Sequence, residues 1–400
     1  MINSKMKELG LHSSAIRELF EYGKIRKSLI GEKNVFDFSI GNPSVATPEI
    51  VDEVLMDLIK NTDSVSLHGY TSASGDADVK KAIVNYLNNK YIADLDEKYL
   101  YMTCGAAASL TISLNAIISE NDEVIVLAPY FPEYKVFIEK ANGKVIIVNP
   151  QKETMLPDLD SLYNSINENT KAIIINSPNN PTGIVYDKNL IQKIADILNK
   201  KQIEYNHDIY LISDEPYREL IYGDFDYPFV SNYYDNSIIC YSFSKSLSLP
   251  GERIGYIVLS KKMNDVENVF YAICGAGRSL GFVCAPSLFQ KLVARCLGHT
   301  SDLTIYEENR NILYNELKSY GYEIIKPDGA FYLFVKALGD DSIKFSEYAK
   351  KYELLLVPSD SFGYSGFVRI SYCVSKEQIV NSLPQFKKLI ENFPREVKHE

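Results

Sequence analysis

Between residues 99 and 260 the chain alternates short apolar runs with longer amphipathic stretches. The runs at 124–128, 145–148, 172–176, 210–213, 238–241 and 254–259 are mostly Val and Ile, the pattern of buried strands. Helical stretches such as 190–199 separate most of them. This alternation predicts parallel strands joined by crossover helices. Residues 99–110, YLYMTCGAAASL, read as a strand, a glycine turn and a helix start. Upstream, Ile16, Leu19 and Phe20 recur at helical spacing in an amino-terminal arm. Pro48 opens a predicted helix through Ile59 with Thr47 as its cap. The loop HGYTSASGD at 68–76 surrounds an isolated Tyr70, and a helix carrying Val79, Ile83 and Leu87 follows. Beyond 285 the character changes: a long helix over 287–320 leads to GAFYLFVKA, another helix, then ELLLVPS and FVRISYC. The expected division is a large domain at 46–285 and a smaller α+β domain from 1–45 and 286–400, the arm included.

Composition narrows the class. The chain has 400 residues, 46% of them apolar and 24% charged, the balance of a globular α/β protein. A net charge of −10 without a basic block argues against nucleic acid as a partner. No run approaches the roughly 18 apolar residues of a membrane span, and MINSKMKELG lacks a signal peptide's apolar core. Six cysteines without CxxC spacing, several in apolar runs, fit a cytoplasmic protein with reduced thiols. Five scattered histidines make a metal site unexpected.

Several stretches carry possible chemistry. Residues 242–256, SFSKSLSLPGERIGY, put Lys245 and Arg253 just beyond an apolar run. A lysine there can form a Schiff base and an arginine can hold an anion; an ordinary surface loop is the plainer alternative. Gly105 with Ala106 and Ala107 makes a turn into a helix amino terminus that suits a phosphate, or a simple packing turn. NSPNNPTG at 176–183 follows a buried run and offers Asn180 at a strand's carboxyl end. ISDEPYREL at 212–220 places Asp214 at the end of another run, where a buried carboxylate needs a cation, with Tyr217 three residues on. GAGRSLG at 275–281 only superficially resembles a dinucleotide turn, for no clean strand precedes it. Arg369 in FVRIS needs an anion, internal or substrate.

Together, GNPS at 41, NPTG, SDExY, SxSK with GxRxGY, and the late arginine occur in the order of the class I/II aminotransferases, which the chain resembles over most of its length. That resemblance implies fold type I: a mostly parallel seven-stranded sheet flanked by helices, plus a smaller α+β domain. It implies pyridoxal 5′-phosphate as cofactor, bound covalently by Lys245, whose freed amine then moves the substrate's α-proton. Asp214 matches the carboxylate on the pyridine nitrogen. Asn180 and Tyr217 match the groups on the ring hydroxyl. Ser242, Ser244, Arg253 and the Ala106 and Ala107 N–H groups match the phosphate cradle, and Phe131 in PYFPEY the stacked aromatic ring. Gly41 and Arg369 match the receivers of the substrate's α-carboxylate. Tyr70 matches a tyrosine that reaches the phosphate of a neighbouring subunit, which implies a homodimer with shared sites.

The implied reaction is transfer of an amino group from an L-amino acid to a 2-oxo acid, with aspartate and 2-oxoglutarate as the first pair expected. Arg278 lies where some aspartate aminotransferases place an arginine for the side-chain carboxylate, or is a surface residue. Glu252 stands where many bacterial relatives have tryptophan, which weakens any transfer of their specificity. The same scaffold hosts lyases and decarboxylases. It also serves as an effector domain in transcription regulators, but only about 40 residues precede the first motif here.

Overall fold

Buried on both faces, a strand has no polar side to alternate with its apolar one, which is why the strand runs read as continuous Val/Ile stretches. The computed structural model describes residues 2–11 and 14–394. In chain order its strands are β1 (Phe36–Asp37), β2 (Leu100–Thr103), β3 (Glu123–Leu127), β4 (Lys144–Val148), β5 (Thr170–Asn176), β6 (Tyr210–Asp214) and β7 (Ser237–Ser242). They continue with β8 (Gly255–Leu259), β9 (Ile324–Ile325), β10 (Tyr332–Lys336), β11 (Leu354–Leu355), β12 (Val357–Pro358) and β13 (Phe367–Ser371).

Seven of them form one sheet in the order β2-β8-β7-β6-β5-β3-β4. Neighbours are parallel except around β8, which runs antiparallel to β2 and β7. Alternate residues feed two cores. Ile173, Ile175, Leu211 and Ile239 pack on one face, and Ala172, Ile174, Ile212 and Ile238 on the other. The central strands β5, β6 and β7 lie side by side and end on Asn176, Asp214 and Ser242. Carboxyl ends of parallel strands are where such sheets place ligands.

A second, antiparallel sheet, β12-β13-β10-β9, has its own core, in which Phe38, Leu333, Val335, Ile370 and Phe386 meet. The amino-terminal region joins this side. Helix Ala15–Ile30 packs Leu19 against Leu355, Val357 and Phe362. Arg26 pairs with Glu353 at 2.5 Å, and β1 runs parallel to β11.

Two local expectations are corrected. The single helix over 287–320 is two, Ser287–Arg295 and Thr304–Ser319. Gly298 at φ +85° breaks the run, and Asp302 Oδ1 accepts the Thr304 N–H at 3.1 Å to start the second helix. Thr47 caps nothing: helix Glu49–Asn61 starts after Pro48 with no side-chain cap. Leu292, Val293 and Cys296 of the segment after 285 pack into the core of the large sheet. GAGRSLG falls inside and at the end of helix Val266–Leu280, away from any strand turn. All six cysteines are free, three of them buried. Among the described residues no helix is long and apolar enough to cross a membrane, and no cluster of acidic, histidine or cysteine side chains suits a metal ion.

Candidate active site

Beyond the ends of β5, β6 and β7 lies a cleft of about 280 Å³. Its walls include Gly41, Ala106, Ala107, Phe131, Asn180, Asp214, Tyr217, Ser242, Ser244, Lys245, Arg253 and Arg369, so most of the predicted site residues come together. They arrive from separate loops because each strand delivers one loop to the same edge. Gly105 stands behind the lining. Tyr70 (98% exposed) and Arg278, exposed on helix Val266–Leu280, stand outside the cleft of their own chain.

On the floor, Asp214 closes β6 and is buried. Tyr134 donates to its Oδ2 at 2.5 Å, whereas Oδ1 has no partner. Burial pushes its pKa up to about 7, against the opposing hydrogen bond from Tyr134. The next residue, Glu215, is locked into a fully buried pair with Arg218 at 2.6 Å, and Arg218 lies 4.3 Å from the Tyr241 ring. That pair anchors the turn after Asp214 from below. From the neighbouring strand, Asn176 Nδ2 donates to the Asp214 carbonyl at 2.8 Å, and Asn176 Oδ1 accepts the Asn180 N–H at 2.8 Å. One side chain therefore fixes both loop ends.

Lys245 follows β7 in the short helix Phe243–Ser246. Its Nζ donates to the Gly41 carbonyl at 2.6 Å. Desolvation brings the amine down to about 8, with Arg253 and Arg369 adding to the shift. A lowered pKa makes the neutral amine, the form a nucleophile or proton acceptor requires, more accessible near neutral pH.

At the far end, helix Ala106–Ile117 points its amino terminus into the cleft. Gly105 precedes it at φ +86°, and a Cβ there would stand 3.0 Å from Arg253 Nη2. Absence of a side chain thus lets the guanidinium lie against the helix start. Ser242 Oγ and Ser244 Oγ, 2.7 Å apart, complete a cluster of donors suited to a phosphate.

Arg369 on β13 is buried, with only neutral partners. Its Nη1 donates to Asn180 Oδ1 at 3.0 Å and its Nη2 to the Ser39 carbonyl, while Nε has no partner. Burial lowers the guanidinium below its ordinary value. A buried cation without a counter-ion is a receptor for an anion, and a carboxylate matches its fork.

Residue reading overlooked Tyr134, Asn176 and Tyr332. Tyr134 sits in PYFPEY and Asn176 opens NSPNNPTG, so both lay inside motifs already singled out. Tyr332, in GAFYLFVKA, carried no local signal, because its partners Tyr217 and Arg369 are distant in sequence.

The cleft therefore brings together a lysine, a buried carboxylate with an unpartnered oxygen, a cluster of hydrogen-bond donors at a helix start and a buried arginine without a counter-ion. The family model for aminotransferase class I and II matches residues 33–383. The chain belongs to that family. It is 32% identical to an aspartate aminotransferase of Pyrococcus horikoshii over 94% of this chain and 95% of that one. A probable aspartate aminotransferase of Methanocaldococcus jannaschii is 31% identical, covering 98% and 100%. In three dimensions it matches an amino transferase from Eubacterium rectale with a TM-score of 0.96 and 51% identity, covering 99% and 100%.

Proposed function

We propose that this aminotransferase holds pyridoxal 5′-phosphate in the cleft through Lys245 and moves an amino group from an L-amino acid to a 2-oxo acid in two half-reactions. Aspartate and 2-oxoglutarate are the first pair to expect, since relatives so named align along nearly the whole chain. The observation that carries the reading is Asp214: a buried carboxylate with one oxygen unpaired, in the same cleft wall as a lysine of lowered pKa.

The residues divide the work. Asp214 Oδ1, without a partner in the chain, would hold the cofactor's ring nitrogen protonated, a pairing worth roughly 4 kcal/mol for charges about 4 Å apart at an effective dielectric near 20. Asn180 and Tyr217 bind the ring hydroxyl, and Phe131 stacks on the ring. Ser242, Ser244, Arg253 and the N–H groups of Ala106 and Ala107 hold the phosphate. Arg369 grips the substrate's α-carboxylate, with the Gly41 loop beside it. Lys245 Nζ, released when the substrate's amine takes its place, would accept the substrate's α-proton and deliver it to the carbon on the far side of the shared nitrogen. When bound, the cofactor supplies the electron sink that makes this proton removable.

Cations lining the cleft are Lys245, Arg253 and Arg369, each with an assigned task. A side-chain carboxylate therefore relies on Arg278 of a second subunit in a homodimer, to which Tyr70 also contributes. Borohydride reduction should fix the cofactor on Lys245, and Lys245→Ala should lose the single-turnover reaction with aspartate. Retention of that reaction by Lys245→Ala sinks the proposal. Release of ammonia without any 2-oxo acid acceptor would point instead to a lyase. A panel of aspartate, alanine and phenylalanine, run on the parent and Arg278→Ala, tests the side-chain assignment. Selective loss of aspartate turnover is expected.

A further inference from the structure

Tyr332 opens β10 and is buried at the meeting point of three parts of the site. Its hydroxyl lies 2.8 Å from the Tyr217 hydroxyl, and the two rings cross edge to face with centroids 5.8 Å apart. Its ring lies 4.6 Å from the Arg369 guanidinium carbon. Its hydroxyl also fills the space where residue 41 would carry a Cβ, so only glycine lets that loop approach and offer its carbonyl to Lys245. One side chain thus touches the neighbours of the lysine, the ring-hydroxyl group and the carboxylate receptor.

We propose that Tyr332 is a positioning residue that acts through Tyr217: it donates its proton to Tyr217 Oη, so that Tyr217's own proton is held toward the cofactor's ring oxygen. The inference rests on the proposed cofactor reading. Two hydroxyls in contact share one proton between them, and either order satisfies the pair. Only one order leaves Tyr217 a donor on the cleft side. A hydroxyl that receives a hydrogen bond becomes a stronger donor in turn, by about 10–30% per link. The ring of Tyr332 meanwhile presents its face to Arg369, an attraction that favours the charged guanidinium.

The consequence is spectroscopic. A donor on the ring oxygen withdraws the negative charge that favours a proton on the nitrogen of Lys245 nearby. Weakening that donor raises the nitrogen's proton affinity. Tyr332→Phe keeps the ring packing and removes the link. In the cofactor-loaded enzyme it should shift the absorbance titration upward in pH, by about threefold in proton affinity. Tyr217→Phe should shift it further in the same direction, and adding Tyr332→Phe to Tyr217→Phe should produce no extra shift. Fluorotyrosine at 332, a more acidic donor of nearly the same shape, should move the midpoint down and covers the case in which Tyr332→Phe folds poorly. A normal chromophore whose midpoint ignores both changes at 332 overturns the relay. So does an equal shift from Tyr332→Phe in the Tyr217→Phe background. Absence of any titratable chromophore in the parent overturns the cofactor reading as well, so the two failures are distinguishable.

Discussion

Asp214 illustrates how a single residue stores the demand for a partner. Its folded-state pKa is raised to about 7 by burial, against an ordinary value of 3.8. Between those values the folded protein binds a proton that the unfolded chain has released, so stability without cofactor falls as pH rises from about 4 to about 7 and levels off above it. Above pH 7 the cost of holding the charge is on the order of 2–4 kcal/mol. Asp214→Asn should therefore raise the melting temperature of the cofactor-free protein at pH 8 and change it little near pH 4. A cation on Oδ1 removes the same cost, so cofactor binding should stabilise the parent more than Asp214→Asn at pH 8. Thermal unfolding at both pH values, with and without pyridoxal phosphate, checks the sign; equal gains in parent and variant would refute the pairing. Lysine, arginine and aspartate at strand ends were legible in sequence because burying charge is costly and their neighbours are apolar. Tyr134 was not, since a core tyrosine and a tyrosine donating to a carboxylate look alike in one dimension.

At the scale of elements, the site depends on where backbones approach side chains. Helix Ala106–Ile117 begins against the Arg253 guanidinium only because Gly105 has no side chain and adopts φ +86°. Gly105→Ala strains the turn by about 1 kcal/mol and displaces Arg253 from the helix start. Its expected effect is a rise in the Kd for pyridoxal phosphate of about tenfold or more, equivalent to ~1.4 kcal/mol, with a smaller loss in melting temperature. Fluorescence titration of the cofactor-free protein measures it, and an unchanged Kd would remove Gly105 from the cradle. Strands were the most readable elements: continuous Val/Ile runs lie within a residue or two of β3 to β8. Helix limits were less so. The 287–320 stretch is periodic enough to pass for one helix, yet Gly298 and the Asp302 contact divide it. That break carries Ser301, whose N–H donates to the Ser246 carbonyl at 2.8 Å beside Lys245. Cys296 packs in the large core, which leads us to propose that the division between domains falls in the segment after it, between the two helices.

For the whole molecule, the exposed positions of Tyr70 and Arg278 fit the proposed homodimer, in which each chain would complete another's site. Tyr70 follows the five-residue helix Ser64–His68 and is 98% exposed, an unusual place for a tyrosine with no role. That helix also presents Val65 (80% exposed), and Tyr271 (68%) stands on the helix that carries Arg278. Exposed aromatic and aliphatic side chains of this kind fit an isologous two-fold contact. Sedimentation should therefore show a dimer, and Tyr70→Ala should weaken cofactor retention. A stronger test separates sites within the dimer. If Tyr70 serves the partner's cleft, a heterodimer of Tyr70→Ala and Lys245→Ala chains places both defects in one site and leaves the other intact. Random mixing of the two variants, with half the dimers mixed and at a cofactor concentration too low to load Tyr70→Ala alone, should then restore about a quarter of parental activity. If Tyr70 served its own cleft, every site in the mixture would carry one defect and no activity would return. With Lys245 inside the cleft and Tyr70 outside it, the first outcome is the one the proposed dimer predicts.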